Sequence, residues 1–84
     1  MSMAGFCYVY ILETVAEPRC YYVGLTQDLR ARLTYHNSGR VPHTAKRLPW
    51  RIATAIAFRD RRRASSFERY LKSASGRAFA RKHL

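Results

Sequence analysis

Acidic residues are scarce in this sequence. Its 84 residues include 5 Asp and Glu against 16 Lys and Arg, a formal net charge of +11, and the isoelectric point is near 10.7. A charge of this size points to a polyanionic partner, because each phosphate that Lys or Arg neutralises releases condensed counterions. A basic surface that only keeps the protein in solution is the alternative, and composition alone leaves it open.

Long hydrophobic runs are also missing. The first apolar run, residues 7–12, ends at Glu13 and is too short for a signal sequence or a membrane span. No Cys-x-x-Cys pair or His/Cys cluster offers a zinc site, and no glycine-rich loop follows a strand in a nucleotide-binding pattern. The sequence therefore predicts a protein without membrane association, zinc or a nucleotide-binding loop.

Cysteine is limited to Cys7 and Cys20. A hairpin that turns near Glu17 places Cys20 opposite Thr14, which is seven positions from Cys7. At about 3.3 Å per residue this separation is roughly 20 Å, whereas the Cα atoms of a disulfide lie within about 7 Å. Both thiols are therefore predicted to be reduced, which fits a cytoplasmic protein.

The chain length allows one domain, and three segments have the composition of strands. With 84 residues, of which 48% are hydrophobic, one compact core spanning residues 1–84 is expected. Residues 6–14 are apolar on both faces, as a central strand requires. Residues 20–25 predict its hairpin partner, and residues 50–58 predict a third strand with one bulky and one small face.

Helices are predicted in the remaining segments. Thr26 or Asp28 caps a helix that runs to about Ser38 and is closed by Gly39. Residues 40–49 are interpreted as an exposed basic loop. A second helix runs from residues 60–63 to 72, and Ser75 with Gly76 separates it from a tail helix over residues 77–84. The order ββαβαα predicts an α+β fold, a three-stranded antiparallel sheet flanked by helices.

Two ionisable residues share the apolar stripe of the first helix. At 100° per residue, Arg32 and His36 fall with Leu29 and Leu33. An arginine stem that runs along apolar surface into solvent explains Arg32 equally well. A cation at the helix C-terminus explains His36 equally well. The pattern therefore makes both residues candidates for a site and leaves the structural interpretations open.

Glu68 is the acidic residue that the pattern of the second helix singles out. It lies at the flank of the buried stripe formed by Ala64, Phe67 and Leu71. A carboxylate there is a candidate metal ligand. The alternative is an ion pair with Lys72 at i+4 or with a nearby arginine.

Two tyrosines are predicted to share one face of the hairpin. In the register above, Tyr10 faces Gly24, and Tyr22 is its diagonal neighbour on the same face. Ordinary packing of strand tyrosines explains this pair as well.

These residues resemble a known family, the GIY-YIG nucleases. Tyr8-Val9-Tyr10 and Tyr22-Val23-Gly24 resemble the two triplets that name it, and residues 22–39 are similar to its small stand-alone bacterial members and its repair endonucleases. In that family an arginine follows the second tyrosine by ten positions, a Tyr or His by fourteen, and a glutamate lies on a later helix. The corresponding positions are Arg32, His36 and Glu68.

The resemblance implies a metal-dependent endonuclease that acts on nucleic acid, in the first place DNA, in repair or recombination. Its site would lie on the exposed side of the sheet, with Tyr10, Tyr22, Arg32, His36 and Glu68 as catalytic residues. Tyr10 would orient or deprotonate the attacking water, with His36 as the alternative base. Glu68 would hold a single Mg²⁺ or Mn²⁺ ion.

Basic residues near that site are expected to bind the nucleic-acid backbone. The candidates are Arg30, Arg40, Lys46, Arg47 and Lys72. The chain is expected to be a monomer or a weak dimer. A partner protein is expected to supply substrate specificity.

The chain also departs from the family pattern. Tyr8 stands in place of the first glycine, Leu25 in place of a lysine that some members carry, and the late asparagine of repair members is missing. These departures favour a second function, a catalytically weak or inactive nucleic-acid-binding module of the same fold. A third is a dimerising structural protein with an aromatic interface.

Overall fold

The computed structural model describes residues 5–84 and contains a three-stranded antiparallel sheet with strand order β2-β1-β3. The predicted α+β architecture is confirmed. The elements, in chain order, are β1 (Cys7–Thr14), β2 (Tyr21–Thr26), α1 (Leu29–Asn37), α2 (Pro42–Ala45), β3 (Trp50–Phe58), α3 (Arg61–Leu71) and α4 (Ala74–His83).

Strand β1 lies at the centre of the sheet and is buried on both faces. On one face, Val9 belongs to a core cluster with Ala64 and Leu71 of α3. On the other, Tyr10 and Leu12 form a second cluster, against which residues of α1 pack. Because side chains alternate along a strand, one apolar segment supplies both cores. The prediction of a central strand covered on two sides is confirmed.

Strand β3 contains a β-bulge that the sequence interpretation missed. Leu12 pairs with Ile52, whereas the preceding residue of β1 pairs two positions further along β3, which leaves Ala53 as the extra residue. Ile52 and Trp50 therefore join the Tyr10 cluster, while Phe58 packs on the α3 side. The prediction of one bulky and one small face is wrong, because it assumed that side chains alternate between the two faces along the whole strand without a bulge.

The segment between α1 and β3, residues 40–49, was predicted to be an exposed loop, and this is wrong in part. Pro42 begins the single turn of α2, where its fixed φ and missing N–H suit the first helical position. Thr44 in that turn is 0% exposed. The indole Nε1 of Trp50 donates to the Thr44 carbonyl at 2.8 Å. The turn is therefore fixed to the sheet.

Helix α4 begins earlier than predicted, at Ala74, and includes the glycine that was expected to interrupt it. The Ser73 side chain caps the helix by accepting from the backbone N–H of Gly76 at 3.1 Å. Gly76 is buried, and a Cβ at this position would collide with the backbone carbonyl of Tyr70. The glycine lets α4 pack closely on the end of α3 and does not break the helix.

The hairpin and its cysteines agree with prediction. The Thr14 backbone N–H donates to the Cys20 carbonyl at 3.0 Å, and Cys7 and Cys20 are free thiols. Among residues 5–84, no helix is long and apolar enough to cross a membrane.

Candidate active site

Tyr10 lies in the middle of β1 and is only 2% exposed. It pairs with Gly24 across the hairpin, as predicted. A Cβ on Gly24 would collide with the phenol ring of Tyr10. The glycine of the second triplet therefore gives the tyrosine of the first triplet room to lie across β2.

His36 lies in the last turn of α1 and is 1% exposed. Leu29 and Leu33 of the same helix pack on the Tyr10 cluster, which turns the helix so that His36 meets Tyr10. The Tyr10 hydroxyl and His36 Nε2 are 3.0 Å apart. The expectation of a site on the exposed side of the sheet is wrong for these two residues, because α1 covers them.

The second ring nitrogen of His36 is also bonded. Its Nδ1 lies 3.0 Å from the hydroxyl of Thr44. Burial and the nearby Arg32 both lower the pKa of His36. The imidazole is therefore neutral at pH 7, contrary to the alternative of a cation at the helix C-terminus.

Burial is also the main influence on the Tyr10 phenol. It raises the pKa of Tyr10 to about 12, with smaller upward contributions from Tyr22 and Glu68 and an opposing one from Arg32. Tyr10 therefore keeps its proton at pH 7, and its hydroxyl lies within hydrogen-bond distance of His36 Nε2. Side chains on β2, α1 and α3 thus affect the pKa of this hydroxyl, namely Tyr22, Arg32 and Glu68.

Tyr22 of β2 is half-buried beside the same histidine. The ring centroids of Tyr22 and His36 are 4.9 Å apart, in an edge-on arrangement. His43 of α2 also lies beside Tyr22, at 5.8 Å between ring centroids, and is exposed. The predicted neighbours Tyr10 and Tyr22 thus both lie beside one imidazole. The sequence pattern gave His43 only as a surface residue that could contact phosphate, and it did not predict its place beside Tyr22.

Arg32 is exposed one turn before His36 on α1. No acidic partner pairs with it among residues 5–84. Its effect on the pKa values of Tyr10 and His36 places it within electrostatic reach of both. Arg32 and Arg61 line one cleft of about 190 Å³ together with Thr26 and Gln27. Two guanidinium groups at one cleft favour an anionic ligand.

Glu68 lies half-buried on α3 and forms an ion pair. Its carboxylate is 2.6 Å from Lys72 Nζ, and the Glu68 side chain is 16% exposed against 53% for Lys72. The ion pair that was the alternative for Glu68 is therefore present. Glu68 also contributes to the raised pKa of Tyr10, so its charge acts on the phenol.

A metal ion at this site would have few protein ligands. The described residues contain no group of three or more His, Cys, Asp or Glu side chains that could enclose an ion. Mg²⁺ is commonly held by one or two carboxylates together with water and substrate phosphates. The single carboxylate of Glu68 fits an ion that is shared with the substrate, and it does not fit a closed protein cage.

The predicted nucleic-acid contacts divide into two groups. One group is exposed and has no acidic partner within residues 5–84: Arg30, Arg40, Lys46 and Arg47. Lys72, in contrast, is paired with Glu68. The first turn of α3 adds Arg61, Arg62 and Arg63 and contains no acidic residue. Arg63 lies 3.9 Å from the N-cap carboxylate of Asp60. Positive charge at a helix N-terminus opposes the macrodipole, so Arg61 and Arg62 are not explained by helix stability.

Comparison with known proteins decides the family. Residues 6–82 match the sequence profile of the GIY-YIG catalytic domain. The chain belongs to the GIY-YIG family. It is a family of nucleases that act on nucleic acid and generally use divalent metal ions.

Curated bacterial relatives of this GIY-YIG chain carry the name UPF0213 protein. One from Streptococcus pneumoniae serotype 4 is 41% identical over 66 residues, covering 77% of this chain and 65% of the relative. One from Lacticaseibacillus paracasei is 38% identical, and the match covers 72% of that relative. One from Streptococcus agalactiae serotype V is 32% identical, and the match covers 80% of that relative. The chain thus spans about 65% of the length of the pneumococcal relatives it matches. No solved structure matches it.

The buried His36 predicts a pH-dependent fold stability. The pKa of His36 is lower in the folded protein than in the unfolded chain, where it is about 6.5, the value of an unperturbed imidazole. Below about pH 6.5 the unfolded chain therefore binds more protons than the folded protein, and protonation favours unfolding. The stability that His36 contributes is therefore present above pH 6.5 and decreases as the pH falls through that value. Urea unfolding at pH 5 to 8 is expected to show this fall, and the His36→Gln variant is expected to show a shallower one. If the free energy of unfolding falls equally steeply with pH in both proteins, the buried His36 is not the cause of the fall.

Proposed function

We propose that the protein is a metal-dependent endonuclease that hydrolyses phosphodiester bonds in DNA. The observation that carries the proposal is the buried hydrogen bond between Tyr10 and His36, with Arg32 and Glu68 in electrostatic reach of the phenol. A nuclease needs a group that accepts the proton of water, a cation for the phosphorane charge and a carboxylate for a metal ion. These side chains supply one candidate for each need.

Tyr10 and His36 support activation of the attacking water as a pair. An isolated phenol with a pKa of about 12 is protonated at pH 7 and cannot accept a proton. The hydrogen bond to Nε2 removes this difficulty, because the phenol oxygen accepts the proton of water as its own proton passes to His36. No free phenolate accumulates in this relay.

Arg32 is proposed to stabilise the negative charge that develops at phosphorus. Its planar guanidinium offers several N–H donors in a fixed fork, which matches the oxygens of a phosphoryl group. Its exposed position leaves it accessible to substrate, and Arg61 at the same cleft supports a second phosphate contact.

Glu68 is proposed to hold one Mg²⁺ or Mn²⁺ ion together with the scissile phosphate. When bound, the ion would polarise that phosphate and neutralise charge on the leaving oxygen. Lys72 must move away from the carboxylate for this to happen. The Lys72 side chain is 53% exposed, so its ammonium group can turn into solvent when it leaves the carboxylate.

DNA is proposed to run across the basic surface formed by Arg30, Arg40, Lys46 and Arg47, with Lys72 joining once it leaves Glu68. Contacts of this kind position the backbone and carry no sequence information. A partner protein that supplies specificity, a role in DNA repair or recombination, and a cytoplasmic location are parts of the same proposal.

Cleavage of supercoiled plasmid and of a branched DNA tests the proposal. Nicking is expected with Mg²⁺ or Mn²⁺ and is expected to stop in EDTA. The ion pair of Glu68 with Lys72 favours a second candidate, a binding module without activity. Salt-sensitive binding that is the same with metal and with EDTA, without any cutting, would establish that module instead.

A further inference from the structure

Thr44 is the most deeply buried polar residue next to the proposed active site. It is 0% exposed, and its hydroxyl lies 3.0 Å from His36 Nδ1. The opposite ring nitrogen, Nε2, lies 3.0 Å from the hydroxyl of Tyr10. Tyr10, His36 and Thr44 thus form one continuous chain of hydrogen bonds beneath the surface.

The surroundings of Thr44 hold it in place from two sides. Trp50 donates its indole N–H to the Thr44 carbonyl at 2.8 Å. The side chain of Asn37 in turn brackets the Trp50 backbone, donating to its carbonyl at 2.9 Å and accepting from its N–H at 2.7 Å. Helix α1 and strand β3 therefore fix both His36 and Thr44, whose hydroxyl contacts His36 Nδ1.

The hydrogen bonds around the imidazole select one tautomer. A neutral imidazole has one nitrogen that donates and one that accepts. The Thr44 hydroxyl has an acceptor of its own in the Val41 carbonyl at 3.4 Å, so its oxygen is free to accept from Nδ1–H. The Tyr10 hydroxyl has no hydrogen-bond partner other than His36 among residues 5–84. Among these residues, only the Nδ1–H tautomer of His36 gives that hydroxyl an acceptor.

We propose that Thr44 is a positioning residue that fixes His36 in the Nδ1–H tautomer, so that Nε2 accepts the proton of Tyr10. The inference rests on the proposed nuclease function for its consequence, since the opposite tautomer has no free nitrogen for that proton. Thr44 is fully buried and does not touch substrate. It acts through the imidazole alone.

The test begins with the tautomer, which needs no substrate. In ¹⁵N-labelled protein at pH 7.5, two-bond nitrogen–proton correlations of His36 are expected to show hydrogen on Nδ1 in the wild type. Thr44→Ser keeps the hydroxyl and is expected to keep that pattern. Thr44→Val has nearly the same shape without the hydroxyl and is expected to shift the pattern toward Nε2–H. A wild type with hydrogen on Nε2 overturns the proposal even if the valine variant does not fold.

Single-turnover DNA cleavage at saturating enzyme then gives the consequence. Thr44→Val is expected to lose about 10- to 100-fold in rate, the size of loss seen when a group that orients a metal-bound histidine is removed. Thr44→Ser is expected to remain near the wild-type rate. A valine variant with both the wild-type tautomer and the wild-type rate overturns the proposal, as does a serine variant that cuts no better than valine. If the wild type does not cut but the valine variant changes tautomer, the positioning role stands and the nuclease function fails.

Discussion

The Glu68→Gln variant is expected to lose about 10²- to 10³-fold in DNA cleavage rate at saturating metal. Glutamine keeps the size and hydrogen-bonding capacity of the side chain and removes its charge. A metal ion at a transferring phosphate is worth several kcal/mol, and each 1.36 kcal/mol corresponds to tenfold in rate. Affinity for DNA in EDTA is expected to remain close to that of the wild type. Single-turnover cleavage and fluorescence anisotropy on one labelled duplex measure the two effects.

Lys72→Met is the matched control for this substitution. It breaks the same 2.6 Å ion pair and leaves the carboxylate in place. If Glu68 serves only the ion pair, the two variants behave alike. If Glu68 holds a metal ion, the methionine variant keeps its cleavage rate at saturating enzyme within about threefold, because the carboxylate that would bind the ion is still in place. Equal losses in both variants contradict the metal role.

Arg32→Ala is expected to reduce the cleavage rate by about 10²- to 10³-fold, the usual cost of removing one donor from a site of developing charge. The substitution also removes a cation that lowers the pKa values of Tyr10 and His36. Both values are therefore expected to rise. Arg32→Lys keeps the charge but not the planar fork, so an intermediate rate is expected. The rate is measured at saturating enzyme, from pH 6 to 9.

Arg30→Ala is the control for Arg32. Both arginines are exposed on α1, but Arg30 lies off the apolar stripe that carries His36. Loss of Arg30 is expected to weaken DNA binding and reduce the salt dependence by roughly one phosphate contact, with a saturating rate within about threefold of the wild type. Equal rate losses for the two variants would show that Arg32 supplies only general attraction.

Local patterns were enough to predict much of the candidate site. The apolar character of β1 on both faces placed it at the sheet centre, and the hairpin turn set Tyr10 opposite Gly24. The wheel of α1 put His36 on its apolar stripe, where it is buried. These features depend on residues close in sequence, whose geometry follows from strand and helix periods.

Other features depend on contacts distant in sequence and were not predictable. Ala53 is a bulge only because of how β3 pairs with β1, and nothing in the alternation of residues 50–58 marks it. Gly76 carries the usual signal of a helix break, but its close approach to the Tyr70 carbonyl reverses that interpretation. Thr44 was overlooked because its segment is polar, while Trp50 and His36 bury it from both sides. A tryptophan soon after a proline-containing turn was the only local sign.

Cleavage of DNA in water enriched in ¹⁸O tests the central claim most directly, because it shows both that a bond is cut and what cuts it. With Mg²⁺ or Mn²⁺ present, the phosphate end of the product is expected to carry one ¹⁸O atom by mass spectrometry, because the proposed role of the Tyr10 and His36 pair is to activate water. Intact DNA under every metal condition contradicts the claim of nuclease activity. Cut DNA without ¹⁸O contradicts the claim that water is the nucleophile.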